Sequence, residues 1–322
     1  MKRYLPIIIS IIILLSISII YLPVSYRYRQ LIFSLIGFLL CYLLIKIKFK
    51  YIKKLIIPLY ILQLVLLIYV LLKGEFINGS RGWINFKLFS IQPSEITKIS
   101  LILTTFYLIN HNIKSKLLFL IIYLIPTILT FLEPDTGAVI IYGIIFLVFL
   151  PYFFTKKEIL SYSLFAIIII ISLILLYIFK QDIFINLLGT SMFYRIDRLT
   201  SFINSNNIQI NNALISIGAN KLLYFPEAYN DFFFSYVISQ NSILFIPIIL
   251  SYFIIITNLY NNKNIVSKIL AYILLFQVTT NIGMNLNLTP VIGLPLPFFS
   301  YGGSHLITNF ILLSLANRKI KV

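Results

Sequence analysis

Residues 226–234 have the sequence Pro-Glu-Ala-Tyr-Asn-Asp-Phe-Phe-Phe, and an apolar run continues from Asp231 to residue 257. The run is long enough to cross a bilayer, which takes about 20 apolar residues. A carboxylate at the edge of such a run is costly, and in a membrane protein it is by default a functional candidate. The stretch therefore predicts that Asp231 lies at a membrane–water boundary and acts on a substrate there. The alternative is that Asp231 caps the helix beginning at Phe232.

The composition of the whole chain also predicts a membrane protein. Of its 322 residues, 60% are hydrophobic and 11% are charged, and the mean hydropathy is +0.99. A soluble domain cannot bury that much apolar surface, so lipid is the expected solvent for most of it. The single cysteine, Cys41, lies inside an apolar run, which excludes a disulfide framework and a cysteine metal site.

Apolar runs of about 17–25 residues, the length that a transmembrane helix needs, recur along the chain. They predict an all-α polytopic membrane protein with about ten transmembrane helices in a single domain, residues 1–322. The first run follows Lys2 and Arg3 but lacks a small-residue cleavage site, so we expect an uncleaved helix rather than a signal peptide. The predicted spans are 5–22, 31–46, 55–72, 93–109, 117–132, 137–154, 159–179, 231–257, 269–286 and 303–316.

The net charge of +17 at first suggests a nucleic-acid partner. With the N-terminus in the cytoplasm, however, most Lys and Arg residues fall on the inner segments, where Glu158 is the only acid. This bias follows the positive-inside rule, so it predicts cytoplasmic N- and C-termini and needs no nucleic acid. The polar loops then face outward, and the long outer loop, 180–230, separates spans 7 and 8. Within it, residues 194–217 fit an amphipathic helix on the membrane surface.

Two polar motifs precede and begin the fourth predicted span. The first, residues 79–85, contains Arg81 and the only tryptophan, Trp83, which also fits an interfacial belt residue. The second motif is residues 91–98, in which Pro93 and Glu95 fit the start of a helix. Glu95 and Lys98 share a face of that helix inside the membrane. Either they neutralise each other or they contact a substrate, and the pattern does not decide between the two.

Other polar motifs fall in the remaining outer segments. Asp135 lies in a turn between two spans and fits a helix cap. Arg195 and Arg198 belong to a charged patch with three possible roles: a solvated face, an anchor for lipid phosphates, or a binding site for a diphosphate. The last role is suggested because the planar guanidinium of arginine matches phosphate oxygens. Residues 289–304 are rich in Pro and Gly and predict a rigid, non-helical loop lining a cavity. His305 has no ligand partners at metal spacing, and we interpret it as structural.

In this order, the segments resemble the SEDS family of bacterial membrane proteins. The resemblance covers about residues 75–316, and its last block is the most specific. The outer loop is shorter than usual, and Ser239 and Gln240 stand where the family has paired glutamates. The matching blocks are 79–84 with 92–95 and Lys98; 134–135 with Gly137; Arg198 with 201–202; 226–227 with 231–232 and Phe234; Asn281 with 283–284; and 290–304.

The resemblance implies a peptidoglycan glycosyltransferase of the bacterial cytoplasmic membrane. Such an enzyme polymerises lipid II into glycan strands at the outer face, for cell elongation or division. The expected partners are a class B penicillin-binding protein, which is a transpeptidase, and membrane lipids, with no nucleic acid. Residues 82–85 favour the RodA branch of the family.

The family's essential aspartate falls on Asp231, which is the expected general base, and its outer-loop tryptophan falls on Trp83. No protein metal site is expected. A divalent cation, Mg²⁺ or Mn²⁺, is an optional cofactor that would stabilise the charge of the diphosphate. The alternatives are a lipid II flippase and an inactive scaffold for the transpeptidase. The candidate substrate-binding residues are Trp83, Arg81, Glu95, Lys98, Asp135, Arg195, Arg198, Lys221, Glu227 and Ser300.

Overall fold

The computed structural model describes residues 4–77, 80–86, 89–179, 208–219 and 227–318, and most of these residues are helical. The chain begins with three long helices, continues through a small sheet, and then returns to helices up to its C-terminal end. The elements are α1 Leu5–Tyr21, α2 Val24–Lys46, α3 Phe49–Lys73, β1 Glu75–Ile77, β2 Ser80–Phe86, β3 Phe89–Ile91, α4 Pro93–Asn110, α5 Lys116–Leu132, α6 Thr136–Phe149, α7 Lys156–Phe179, α8 Ile208–Ala219, α9 Phe233–Gln240, α10 Phe245–Tyr260, α11 Ile265–Asn285 and α12 Gly303–Ala316.

The polytopic α-helical fold is confirmed. Every predicted span overlaps one of the described helices. By length and composition, four helical segments are long and apolar enough to cross a membrane: Val24–Lys46, Phe49–Lys73, Ser242–Tyr260 and Ile265–Asn285. Several of the other helices are apolar but shorter. The number of crossings, their orientation and the single-domain organisation stay predictions.

The eighth predicted span, 231–257, is divided in the structure. The short helix α9 ends at Gln240, and α10 begins only at Phe245. Asn241 separates them in an extended conformation, and its side chain accepts a hydrogen bond from the Ile243 amide. Pro247 falls in the first turn of α10, where its missing N–H costs no intrahelical bond. The helix therefore restarts at this point instead of running through.

The segment between α3 and α4 has regular structure of its own. It contains a three-stranded sheet of order β1-β2-β3. Both pairs are antiparallel, with Trp83 opposite Glu75 and Ile84 opposite Ile91. Strands this short show little periodicity in a sequence, so the hydropathy pattern does not reveal them.

Local sequence signals account for several helix ends. The side chain of Asp135 accepts a hydrogen bond from the Ala138 amide at 3.0 Å, which confirms the predicted cap at the start of α6. Asn264 caps α11 in the same way, through the Val266 amide at 3.0 Å. Of the predicted surface helix 194–217, the structure describes only the part that belongs to α8, and the rest lies outside the described residues.

Helix α12 packs closely along α2, and also contacts α4 and α11. An added Cβ at Gly37 of α2 would collide with the Phe310 ring of α12. In the opposite direction, a Cβ at Gly303 would lie 2.7 Å from the Phe33 ring. Small residues at such crossings let helix backbones approach in a membrane, where packing replaces the hydrophobic effect as the source of attraction. This contact holds the start of α12 beside the candidate site.

Candidate active site

A tight turn precedes α9 and carries Asp231. The carbonyl oxygen of Glu227 accepts hydrogen bonds from the amides of Asn230 and Phe232, both at 3.1 Å. The Glu227 side chain adds a hydrogen bond from Asn230 Nδ2 at 2.6 Å. Glu227 itself has a φ of 61°, which is unfavourable for a residue with a side chain. Strain of this kind persists only where the surroundings enforce it, and it is concentrated at functional sites.

The position of Asp231 is set through its backbone. Its carbonyl oxygen accepts hydrogen bonds from Asn281 Nδ2 at 2.8 Å and from Asn285 Nδ2 at 3.0 Å. Its carboxylate faces Gly293, where an added Cβ would lie 3.5 Å from Oδ2. Within the described part of the chain, no group donates a hydrogen bond to this carboxylate. Its oxygens are therefore available to a substrate.

The surroundings of Asp231 favour its protonated form. Asp231 lies in the turn that precedes α9, outside the spanning helices. Burial and then the negative charges of Glu227 and Asp135 raise the pKa of its carboxyl group to about 7. A carboxylate with a pKa near the operating pH is suited to general base catalysis, because it can both accept and release a proton.

Asp135 joins the starts of α4 and α6. Its Oδ2 accepts hydrogen bonds from Gln92 Nε2 at 2.9 Å and from Ser94 Oγ at 2.8 Å. The hydroxyl of Tyr142, on α6, donates to the backbone carbonyl of Ser94 at 2.8 Å. The motif before α4 and the turn before α6 were separate in the sequence analysis. The structure brings them together beside Asp231, whose pKa responds to the charge of Asp135.

Behind this group lies a buried set of ionisable side chains. Lys98 Nζ is 2.5 Å from Glu95 Oε2, and only 1% of the Lys98 side chain is exposed. Nδ1 of His305, on α12, lies 3.3 Å from Glu95 Oε1. His305, which we interpret as structural, therefore has Glu95 as a specific partner. Glu95 and Lys98 neutralise each other, whereas their predicted role in substrate binding stays a prediction.

The loop between α11 and α12 closes the site on its other side. Ser304 Oγ donates to the Ser90 carbonyl at 2.8 Å and accepts a hydrogen bond from the Gln92 amide at 3.3 Å. Ser300 is buried, and its Oγ accepts a hydrogen bond from the Leu296 amide at 3.0 Å. These bonds give Ser304 and Ser300 clear structural roles. Binding of substrate by Ser300 stays a prediction.

Glu133 is a site residue that sequence reasoning missed. It directly follows α5, is 0% exposed, and its two carboxyl oxygens have no hydrogen-bond partner among the residues described. Burial and the charge of Asp135 raise its pKa to about 8. The side chain is therefore mostly neutral at pH 7. Burial depends on long-range packing, and the sequence suggested only a turn at this position.

The remaining predicted site residues lie elsewhere. Arg81 is on β2, and so is Trp83, which is half-buried. No hydrogen bond joins Trp83 to Asp231 in the part of the chain that the structure describes. The predicted residues of the long outer loop all fall outside the described residues: Arg195, Arg198 and Lys221. The structure thus unites the two acids Asp231 and Asp135, with Glu227 shaping the turn.

The fold and the site define a polytopic α-helical membrane protein in which the Asp231 carboxylate, unbonded among the described residues, faces a non-helical loop. The model of the family described as cell cycle protein, which covers FtsW, RodA and SpoVE, matches residues 3–319. The chain belongs to this FtsW/RodA/SpoVE family, which is the SEDS family that its motifs resemble. It is accordingly a multi-pass protein of the bacterial cytoplasmic membrane.

Curated relatives support this assignment over most of their length. The chain is 29% identical to a probable peptidoglycan glycosyltransferase FtsW of Hydrogenovibrio crunogenus, over 92% of this chain and 82% of that protein. It is 30% identical to the protein of the same description from Buchnera aphidicola, over 92% and 90% of the two chains. The corresponding protein of Wigglesworthia glossinidia brevipalpis is 32% identical, over 90% and 82%.

Solved structures show the same fold. A chain from a peptidoglycan synthase complex superposes with a TM-score of 0.77 at 22% identity, covering 96% of this chain and 95% of that one. The rod shape determining protein RodA of Thermus thermophilus gives a TM-score of 0.67 at 23% identity, covering 96% and 94%. The sequence relatives are FtsW proteins and a structural neighbour is RodA, so assignment to the RodA branch stays a prediction.

Proposed function

We propose that this chain is an inverting peptidoglycan glycosyltransferase, which polymerises lipid II into glycan strands at the outer face of the membrane. The observation that carries the proposal is the unbonded carboxylate of Asp231. It has a raised pKa, and the asparagines of α11 hold it through its backbone. The names of the FtsW relatives and the SEDS motifs support the same activity.

In the proposed reaction, a hydroxyl oxygen of the acceptor sugar forms a bond to the anomeric carbon of the donor sugar. The bond from that carbon to the diphosphate breaks, and the electron pair leaves with undecaprenyl diphosphate. The hydroxyl proton passes to the Asp231 carboxylate. Because the attack comes from the face opposite the diphosphate, the configuration inverts. A base positioned in this way contributes about 10²–10⁴-fold.

The departing diphosphate needs positive charge to stabilise it. Lys98 is engaged with Glu95 and buried, so we infer that it acts by positioning the α4 segment that holds Asp135. The candidates for direct contact are Arg81 on β2 and the outer-loop residues Arg195, Arg198 and Lys221. Arginine suits this role because its planar fork matches phosphate oxygens.

A divalent cation is a separate expectation. Mg²⁺ commonly binds through one or two carboxylates together with substrate phosphates, so it would add charge stabilisation at the diphosphate. In the described ranges, no group of three or more His, Cys, Asp or Glu side chains is arranged to hold a metal ion. These residues do not fit a dedicated metal site, and the mechanism above does not depend on one.

The proposed protein partner is a class B penicillin-binding protein, whose transpeptidase crosslinks the new strands. Its support is that the family motifs are present and that a structural neighbour comes from a peptidoglycan synthase complex. Membrane lipids surround the apolar helices. The basic charge needs no nucleic acid, because it follows the expected topology.

The decisive experiment mixes the purified chain with labelled lipid II in detergent, with and without the transpeptidase. Wild type should form glycan polymer, and Asp231→Asn should lose it while remaining folded, since the backbone carbonyl of residue 231 keeps its bonds to α11. Glu158→Gln is the matched control. It makes the same carboxylate-to-amide change at an ion pair with Lys116 away from the site, and should leave polymerisation intact.

The buried ionisable side chains of Glu95, Lys98 and His305 give the flippase alternative its one specific support, because ionisable groups inside a bundle often mark a translocation path. The detergent assay separates the hypotheses, since a flippase needs two leaflets to show activity. Polymer that appears at a normal rate with Asp231→Asn would refute the base assignment. Lipid II binding without polymer, with or without the partner, would favour the flippase or the scaffold.

A further inference from the structure

Five lysines lie within nine residues where α2 ends and α3 begins: Lys46, Lys48, Lys50, Lys53 and Lys54. The first 74 residues of the chain contain no Asp or Glu. Across the described ranges, none of these lysines pairs with a carboxylate, since the ion pairs found there involve other residues. The positive-inside rule explains why the charge is on this side, but not how it is organised.

Three of these lysines lie over aromatic rings: Lys46 over Tyr42, Lys50 over Tyr51, and Lys53 over Phe49 in the first turn of α3. Lys53 Nζ lies 5.8 Å from the centre of the Phe49 ring. The guanidinium carbon of Arg318, which follows α12, lies 6.0 Å from the same centre. Two cations from distant parts of the chain therefore converge on one aromatic side chain, although like charges repel. A bound anion at this end of the helices would offset that repulsion.

The backbone of Arg318 is held by hydrogen bonds, whereas part of its guanidinium group has no hydrogen-bond partner among the described residues. Asn264 Nδ2 donates hydrogen bonds to the carbonyls of Arg318 at 2.6 Å and Ala316 at 2.9 Å, which fixes the backbone that carries the guanidinium. Nε and Nη2 of Arg318 are buried and have no hydrogen-bond partner in the described residues. Buried donors of this kind are costly when unpaired, so they call for a ligand.

This cationic group lies at the other end of the bundle from Asp231. At the start of α2, Tyr26 packs against Tyr229 of the Asp231 turn, with ring centres 5.2 Å apart. Lys46 ends α2 about 30 Å further along, at the rise of about 1.5 Å per residue. The group is therefore at the opposite membrane surface, where the start of α3 adds the positive end of its helix dipole.

We infer that Arg318, Lys53 and the lysines around Phe49 form a binding site for the phosphate headgroup of an anionic phospholipid. The arginine fork would bind phosphate oxygens in pairs, and the lysines would add charge around them. Apolar side chains exposed beside the site suit acyl chains, including Ile47, which is 42% exposed, and Leu55, which is 62% exposed.

The test measures the affinity of the purified full-length chain, in neutral detergent, for short-chain phosphatidylglycerol through the lipid-dependent rise in thermal unfolding temperature. Wild type should show a saturable rise, and phosphatidylcholine should give none. The double variant K53Q/R318Q should bind about 30-fold more weakly, because each basic residue contributes roughly a factor of five at an anionic surface.

The matched control is K156Q/K157Q, which removes two exposed lysines from the start of α7 and should change the affinity by less than about twofold. Equal weakening in both double variants, or none in K53Q/R318Q, would overturn the site. An equal rise with inorganic phosphate at the same ionic strength would overturn its assignment to lipid. Should K53Q/R318Q fail to fold, R318K keeps the charge without the fork and should still weaken binding.

Discussion

The side chain of Asn281 donates a hydrogen bond to the backbone carbonyl of Asp231, with 2.8 Å between the two atoms. The same amide nitrogen also reaches the carbonyl of Leu294 at 2.7 Å. One side chain of α11 therefore holds both the turn that carries the proposed base and the loop that its carboxylate faces. Placement of the base depends on this contact as much as on Asp231 itself.

Asn281→Ala should lower polymerisation strongly, because the turn and the loop lose their common anchor. It should also lower the free energy of unfolding by about 1–3 kcal/mol, since the Leu294 carbonyl loses this donor and the Asp231 carbonyl keeps only its bond from Asn285. Asn258→Ala is the control, because that amide bonds only to its own helix, at the Ile254 carbonyl. Rate measurements with both variants at saturating lipid II test this, and equal rates would contradict it.

The pH dependence of polymerisation should show an acidic limb near pH 7. A general base works only when ionised, and the pKa of Asp231 is about 7, so the rate should fall as the pH drops below that value. Glu227→Gln removes one of the negative charges that raise this pKa, and should move the limb to lower pH. A rate profile for both proteins checks the direction, and an unmoved limb would rule out Glu227 as a cause.

Glu133→Gln should leave the activity and the thermal stability nearly unchanged at pH 7. With a pKa of about 8, the Glu133 side chain is mostly protonated there, and glutamine has nearly the same shape without a charge. In contrast, Glu133→Lys should destabilise the fold, since it places a longer, charged side chain in a fully buried position. Thermal unfolding of the two variants compares them directly, and a large loss in Glu133→Gln would contradict the neutral assignment.

A double-mutant cycle should resolve the role of the Glu95–Lys98 pair. Lys98→Met alone leaves Glu95 as a buried charge without its partner, and should cost about 3–5 kcal/mol of stability. Adding Glu95→Gln should restore much of that stability while the activity stays low, if the pair also positions the site. If the double variant recovers both stability and activity, the pair serves only to neutralise its own two charges.

Hydropathy predicted the helical fold because each span is a local property of the chain. The cap at Asp135 was also predictable, because it needs only the residues next to it. The contact between Glu95 and His305 was not, since 210 positions separate them and only the packing of α4 on α12 brings them together. The break at Asn241 had a local signal in Pro247, but the continuous apolar run outweighed it.

Four glycines, two at the crossing of α2 and α12 and two against the loop between α11 and α12, limit which mutations this chain tolerates. At Gly37, Gly137, Gly283 and Gly303, even a methyl group would lie under 3.0 Å from a neighbouring side chain. Every substitution of these four glycines adds at least a Cβ, so whichever residue replaces them meets the same steric limit.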